Sequence, residues 1–134
     1  MRRAFAAGAA LLLGGLAGAT AAPPPGDGGA AYRKHCVACH ALEPGINTPA
    51  GPSLHRVVGR RIASEAEFNY SPALRSLAAR ERRWSAELLE RFLADPDVLA
   101  PGTEMGFAGL RDDGERQALI AWLERRARPA RRRR

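Results

Sequence analysis

The clearest regular pattern in the chain is an apolar face repeated at helical spacing in its second half. Residues 88–93 place leucine and phenylalanine at positions i, i+1, i+4 and i+5, which form one face of an α-helix. Ser85 precedes this stretch as a capping residue, and the pair Asp95-Pro96 ends it. A second apolar stripe occupies residues 119–123. Both patterns predict amphipathic helices that pack on a common core.

Helix-start signals add further elements. Residues 71–80 begin with a serine followed by a proline, which suits the capping position and the first position of a helix. Asp112 and Glu115 have the spacing of a capping box and predict the start of the last helix. Residues 30–39 are expected to form a short helix near the beginning of the domain.

The remaining segments predict long loops. Residues 42–51, 52–61 and 97–110 are punctuated by proline and glycine, and they show neither strand-like alternation nor an internal repeat. The predicted fold is therefore all-α, with about four to five short helices joined by long loops. Loops of this length in a small domain indicate that something besides side chains fills the centre.

The first residues have the composition of a secretory signal peptide. Arg2 and Arg3 precede an uncharged apolar run over residues 4–19, and Ala-Thr-Ala follows at 19–21. A retained membrane anchor is the alternative, although a span needs about 20 strongly apolar residues. We expect export to the bacterial periplasm. The expected division is a signal peptide over residues 1–21, a flexible linker over 22–29, the folded domain over 30–126 and a basic disordered tail over 127–134.

The formal net charge of +7 is concentrated at the end of the chain. Residues 22–124 carry 12 basic and 14 acidic side chains, so the body is near neutral, whereas residues 125–134 hold seven arginines. Such a tail can contact an acidic partner or an anionic membrane surface. We expect no nucleic-acid partner, because the body does not interleave basic and aromatic residues.

Both cysteines lie in the motif Cys-Val-Ala-Cys-His at residues 36–40. A disulfide between Cys36 and Cys39 would close only a tiny loop, and zinc would require two more ligands from a chain with three histidines. Cys-x-x-Cys-His is the attachment signature of c-type haem. We therefore expect one covalent haem c at Cys36 and Cys39, with its iron held by His40.

The sixth iron ligand determines what such a haem does, and methionine, histidine or lysine can supply it. Met105 is the only methionine left after removal of residues 1–21. A lone methionine often fills a gap in a core. Met105, however, lies in a loop that contains Pro101 and Gly102 rather than on an apolar helical stripe, which favours a role as ligand.

These motifs, in this order and spacing, resemble the monohaem cytochrome c family of the mitochondrial and bacterial periplasmic type. The resemblance covers most of the chain after residue 21. The matching blocks are Gly28 with Tyr32, residues 36–40, Gly51 to Arg60, Phe68 to Ala73, Trp84, Leu93 to Pro96, Pro101 to Met105 and Leu119 to Leu123.

The resemblance implies roles for individual residues. The Pro52 carbonyl would accept a hydrogen bond from the ring N–H of His40, and Gly28 would allow the first and last helices to cross closely. The residues implied to hydrogen-bond the haem propionates are Arg60, Tyr70, Trp84 and Thr103. The chain departs from the family at Glu104, where lysine is common, and the family's ring of lysines is largely missing.

The resemblance implies an electron carrier rather than an enzyme, with His40 and Met105 as axial ligands and a haem edge open to outer-sphere transfer. Its partners would be redox proteins of a respiratory chain, such as a membrane cytochrome complex or a terminal oxidase or reductase, and it would be a monomer. Two alternatives remain: a subunit tethered to a membrane or periplasmic oxidoreductase complex, and a haem enzyme with an open sixth position, for which the sequence offers no convincing distal base.

Overall fold

The computed structural model describes residues 26–129, so the expected signal peptide and the last part of the basic tail lie outside the described residues. Its secondary structure is helical, and within these residues strand-like pairing is limited to one bridge between Arg61 and Arg83. The all-α prediction is confirmed. The helices in chain order are α1 (Gly28–His35), α2 (Pro72–Glu81), α3 (Ala86–Ala94), α4 (Pro96–Leu99) and α5 (Asp113–Ala127).

Three helices begin at the capping residue that the sequence predicts. The side chains of Ser71, Ser85 and Asp112 each accept a hydrogen bond from the backbone N–H three residues later, at 3.2, 3.1 and 2.6 Å. The reciprocal half of the predicted capping box at Asp112 does not form. Instead, the carboxylate of Glu115 reaches α1, where its Oε1 lies 2.9 Å from Nε2 of His35.

The first helix begins earlier and ends earlier than predicted. It starts at Gly28 because the Asp27 side chain accepts a hydrogen bond from the N–H of Ala30 at 2.9 Å. Gly28 and Gly29 are buried in the structure, so they belong to the folded domain and not to a flexible linker. The helix ends at His35, since the following residues tighten into a turn.

The segment after Pro96 was predicted to be irregular, but its first residues form the single-turn helix α4. Asp95 caps this helix by accepting from the N–H of Val98 at 3.2 Å, and Pro96 occupies its first position. The sequence prediction took the Asp95-Pro96 pair only as the end of α3. The same pair also satisfies the start signal for a new helix.

The core forms where α1 and α5 cross and where α3 packs against α5, and Leu77 of α2 joins the same cluster. Tyr32 on α1 stacks on Trp122 of α5 with 5.5 Å between ring centroids. A Cβ added at Gly28 would overlap the backbone oxygen of Ala118 and the Cβ of Trp122, so the crossing requires glycine. The most deeply buried core side chains include Leu77 and Leu119.

A buried charge network fixes the end of the long loop that follows α4. Arg116 on α5 is only 7% exposed and lies 2.6 Å from the carboxylate of Glu90 on α3 and 2.7 Å from that of Asp113. It also donates to the carbonyl of Leu110 at 2.6 Å. The one buried charge of this network, that of Arg116, is thus paired, as burial requires, while Glu90 and Asp113 are more exposed. The network ties the loop to α3 and α5.

Over residues 26–129, none of the helices combines the length and the apolarity that crossing a membrane would take.

The close crossing of α1 and α5 yields a test of the fold. Gly28→Ala should lower the free energy of unfolding by about 1–3 kcal/mol, because the added methyl group forces the helices apart. Gly114→Ala is the matched control, since its Cβ would meet only Asp112 Oδ1 at 3.4 Å. Denaturant titration of both variants measures the difference, and an equal effect at the two sites would contradict the packing argument.

Candidate cofactor site

A cavity of about 840 Å³ lies between the helices and the long loops. This volume falls in the usual range for small-molecule and cofactor sites. The structure brings every site residue predicted from the sequence to the wall of this one cavity, although they come from segments far apart in the chain. They are Cys36, Cys39, His40, Pro52, Arg60, Tyr70, Trp84, Thr103 and Met105.

The cysteine motif forms a tight turn directly after α1. The N–H groups of Cys39 and His40 both donate to the carbonyl of Cys36, at 3.0 and 2.9 Å, so both thiols and the imidazole project from one turn. No disulfide joins the two cysteines in the described part of the chain. Burial, with a smaller contribution from the neighbouring Cys39, raises the pKa of the Cys36 thiol to about 11.

One ring nitrogen of His40 is hydrogen-bonded to the protein, and the other is available to a metal. Its Nδ1 lies 2.7 Å from the carbonyl oxygen of Pro52. Because a carbonyl can only accept, Nδ1 carries the proton, and Nε2 keeps its lone pair for a metal. Burial lowers the pKa of His40, and the charge of Arg60 adds to this against the opposing effect of the Pro52 hydrogen bond. The neutral imidazole, which is the ligating form, is therefore favoured.

The loop beside His40 is organised by the hydroxyl of Thr48. Its Oγ1 donates to the carbonyl of Cys39 at 2.6 Å and accepts from the N–H groups of Ala50 and Gly51 at 3.2 and 3.1 Å. A Cβ at Gly51 would lie 2.6 Å from Cε1 of His40. Glycine is therefore needed for the loop to pass behind the imidazole.

Met105 reaches the cavity from the loop between α4 and α5. It is partly buried against the core, and its N–H donates to Thr103 Oγ1 at 3.3 Å. The loop is fixed at its far end by the N–H of Leu110, which donates to the carbonyl of Leu93 at 2.7 Å. A thioether and an imidazole are thus both available to a metal in this cavity.

Three of the five N–H donors of Arg60 are hydrogen-bonded within the protein. Its Nη1 donates to the carbonyl of His55 at 2.7 Å and to Glu65 Oε1 at 2.6 Å, and its Nη2 donates to the carbonyl of Ser53 at 2.8 Å. The buried Nε has no partner among the described residues. Leaving such a group unsatisfied costs about 1–3 kcal/mol. An acceptor belonging to a bound cofactor, such as the carboxylate of a haem propionate, fits this donor.

The backbone places Arg60 beside Trp84. The N–H of Trp84 donates to the carbonyl of Arg60 at 2.9 Å, and the carbonyl of Trp84 accepts from Gly59 at 2.6 Å. The indole packs on Phe92 with 4.9 Å between ring centroids. Both cavity-lining side chains are therefore held by one backbone pairing.

Tyr70 presents a neutral phenol to the same cavity. Its hydroxyl oxygen accepts from the backbone N–H of Glu65 at 3.0 Å, which leaves the hydroxyl proton free for another acceptor. Burial is the largest influence and raises the pKa of Tyr70 above its ordinary value, so the phenol stays protonated.

The sequence did not single out Thr48 or Glu65. Their positions in loops carry no periodicity or motif, and a glutamate in a polar segment is usually solvated. Only the folded chain shows that Thr48 bonds to the cysteine turn and that Glu65 pairs with Arg60. The structure distinguishes Glu65 from an ordinary solvated glutamate because its side chain is only 13% exposed.

Comparison with known proteins places the chain among haem proteins, although no protein-family model matches it. It is 39% identical over 89 residues to cytochrome c-550 of Ancylobacter novellus, which covers 66% of this chain and 83% of that protein. It is 35% identical over 95 residues to cytochrome c2 of Agrobacterium tumefaciens, covering 71% and 86% of the two chains. A cytochrome c homolog of Bradyrhizobium diazoefficiens is 42% identical over 96 residues, covering 71% of this chain and 50% of that protein.

The close approach behind His40 yields a prediction. Gly51→Ala should displace the imidazole and lower the free energy of unfolding by about 1–3 kcal/mol, since its methyl group would collide with a ring held by Pro52. Gly106→Ala is the control, because Gly106 borders the same cavity but a Cβ there meets nothing within 4 Å. Denaturant titration compares them, and equal stability of the two variants would refute the steric argument.

Proposed function

This chain belongs to the cytochrome c family, and from that premise we propose that it is a periplasmic carrier of single electrons whose iron is held by His40 and Met105. The protein binds one haem c covalently and is an electron-transfer haem protein. Residues 1–21 act as the export signal in this proposal, since they have the basic, apolar and small-residue sections of one.

The observation that carries the proposal is the meeting of His40, Met105 and both cysteines at one cavity. His40 keeps Nε2 free for the iron because Pro52 holds the Nδ1 proton. Met105 supplies a soft thioether from a loop anchored at Leu110. When bound, the haem supplies a one-electron iron couple whose potential a methionine ligand raises.

The chain's own residues keep the site rigid, as fast electron transfer requires. The cysteine turn and the proline loop share Thr48, and Arg60 is bonded on three sides. The two ligand segments are each fixed by backbone hydrogen bonds rather than by side chains alone. Little in the site needs to move when an electron enters or leaves.

The partner in this proposal is a redox protein with a basic docking face. Within residues 26–129, the charged side chains that both border the cavity and are exposed are Glu67 and Glu104. The one lysine of the chain, Lys34, lies 3.5 Å from the carboxylate of Glu115. Arg75, which is exposed, hydrogen-bonds to Asn69 and Tyr70 of the cavity wall, so the excess of negative charge at the mouth is small, and in this proposal it favours a basic partner.

Replacing the proposed ligand tests the ligation. Met105→Ala should abolish the weak near-infrared absorption band typical of methionine bound to ferric haem iron, and the midpoint potential should fall because the thioether is lost. The haem should stay attached through the cysteines. Val98→Ala is the control, because Val98 is 76% exposed, and it should leave the near-infrared band and the midpoint potential unchanged. An unaltered band in Met105→Ala, or ready carbon monoxide binding by the wild-type protein, would overturn the carrier proposal.

Small charged reagents test the acidic mouth. The double variant Glu67→Gln/Glu104→Gln should slow electron transfer with cationic hexaammineruthenium and speed it with anionic hexacyanoferrate, by about twofold per charge at low salt. Salt should reduce the difference. Glu87→Gln is the control because Glu87 lines a separate groove between α3 and α5. Equal rates for the double variant and the wild-type protein with both reagents would argue against docking at an acidic mouth.

A further inference from the structure

We propose that Glu65 is a positioning residue that sets the potential of the haem iron, acting through Arg60. Its carboxylate holds the guanidinium in place and offsets its positive charge, which lowers the reduction potential of the site. The inference rests on the proposed function, because it presumes an electron carrier whose potential matters. The role of Glu65 does not involve the cysteine motif or the iron ligands directly.

The pair is close and shielded from solvent. Glu65 Oε1 lies 2.6 Å from Nη1 of Arg60, and the two side chains are 13% and 18% exposed. Arg60 borders the cavity whereas Glu65 does not, so the carboxylate supports the guanidinium from outside the cavity wall. Water screens such a pair far less than a surface ion pair. The charge of Glu65 is therefore felt inside the cavity.

Glu65 also helps to determine which N–H groups of Arg60 remain available to a cofactor. Glu65 shares Nη1 with the carbonyl of His55, and the carbonyl of Ser53 takes Nη2. The buried Nε remains without a partner among the described residues. The guanidinium can therefore give a propionate a well-defined hydrogen bond, while much of its charge is already compensated by Glu65.

The backbone of Glu65 contacts a second residue of the cavity wall. Its N–H donates to the hydroxyl oxygen of Tyr70 at 3.0 Å, so one residue positions both Arg60 and Tyr70. Two positions before and two positions after Glu65 the backbone has positive φ, 53° at Ala63 and 61° at Glu67. Non-glycine residues rarely take this conformation without cause. The two contacts of Glu65 therefore lie within a backbone segment of unusual conformation.

The expected effect on the potential follows from charge alone. A positive guanidinium beside the haem favours the reduced iron, which carries one positive charge fewer than the oxidised iron. A buried carboxylate on that guanidinium opposes this preference. Glu65→Gln keeps the size and the acceptor oxygen but removes the charge, so the midpoint potential should shift to more positive values.

The test uses the haem-loaded protein and compares neutral with charged replacements. Potentiometric titration should give more positive midpoints for Glu65→Gln and Glu65→Ser, whereas Glu65→Asp, which keeps the charge, should stay near the wild-type value. Glu87→Gln removes one carboxylate charge remote from the cavity and should not shift the midpoint. If Glu65→Gln does not fold, the comparison of the Ser and Asp variants decides.

Equal midpoints in the neutral and charged variants would overturn the role of Glu65, as would a negative shift in the neutral ones. The near-infrared band is recorded in the same samples to distinguish this outcome from failure of the proposed function. A band in the wild-type protein with no shift on neutralising Glu65 refutes only the role of Glu65. Absence of that band from the wild-type protein refutes the methionine-ligated carrier itself.

Discussion

The hydrogen bond between His40 Nδ1 and the carbonyl of Pro52 is the contact on which the arrangement of the site depends. It joins the turn that carries the cysteines to the neighbouring loop over residues 48–52. It exists only because Gly51 leaves room for the ring and because Thr48 fixes the loop in register. Without this contact, neither the tautomer nor the direction of the imidazole would be defined, and the cavity would lose one wall.

The rest of the fold positions the cysteine turn and the Met105 loop around the cavity. The α1–α5 crossing sets the position of the cysteine turn, and Gly28 sets the closeness of the crossing. Arg116 and Leu110 anchor the loop that brings Met105 to the cavity. A chain this small has a modest core, so a haem in this cavity would add a large part of the buried apolar surface. Fold and cofactor are therefore expected to stabilise each other.

Features that depend on residues close together in the sequence, such as helix caps, could be predicted. Contacts between residues far apart in the sequence could not. The starts of α2, α3 and α5 follow from Ser71, Ser85 and Asp112, because a cap involves only residues three positions apart. The site residues were found through the cysteine motif and the family resemblance. By contrast, the pairing of Glu65 with Arg60 and the turn of Glu115 toward His35 depend on how segments meet in space. The early start of α1, however, follows from a local cap at Asp27 that the sequence prediction did not use.

The burial of Cys36 also bears on the order in which the protein is assembled. A thiol needs to lose its proton to react well, and at a pKa of about 11 nearly all of this one is protonated near neutral pH. Cys39, in contrast, is exposed at the rim of the cavity. The folded turn is therefore expected to slow attachment at Cys36, and the thioether bond there is expected to form more readily before this turn closes over the thiol.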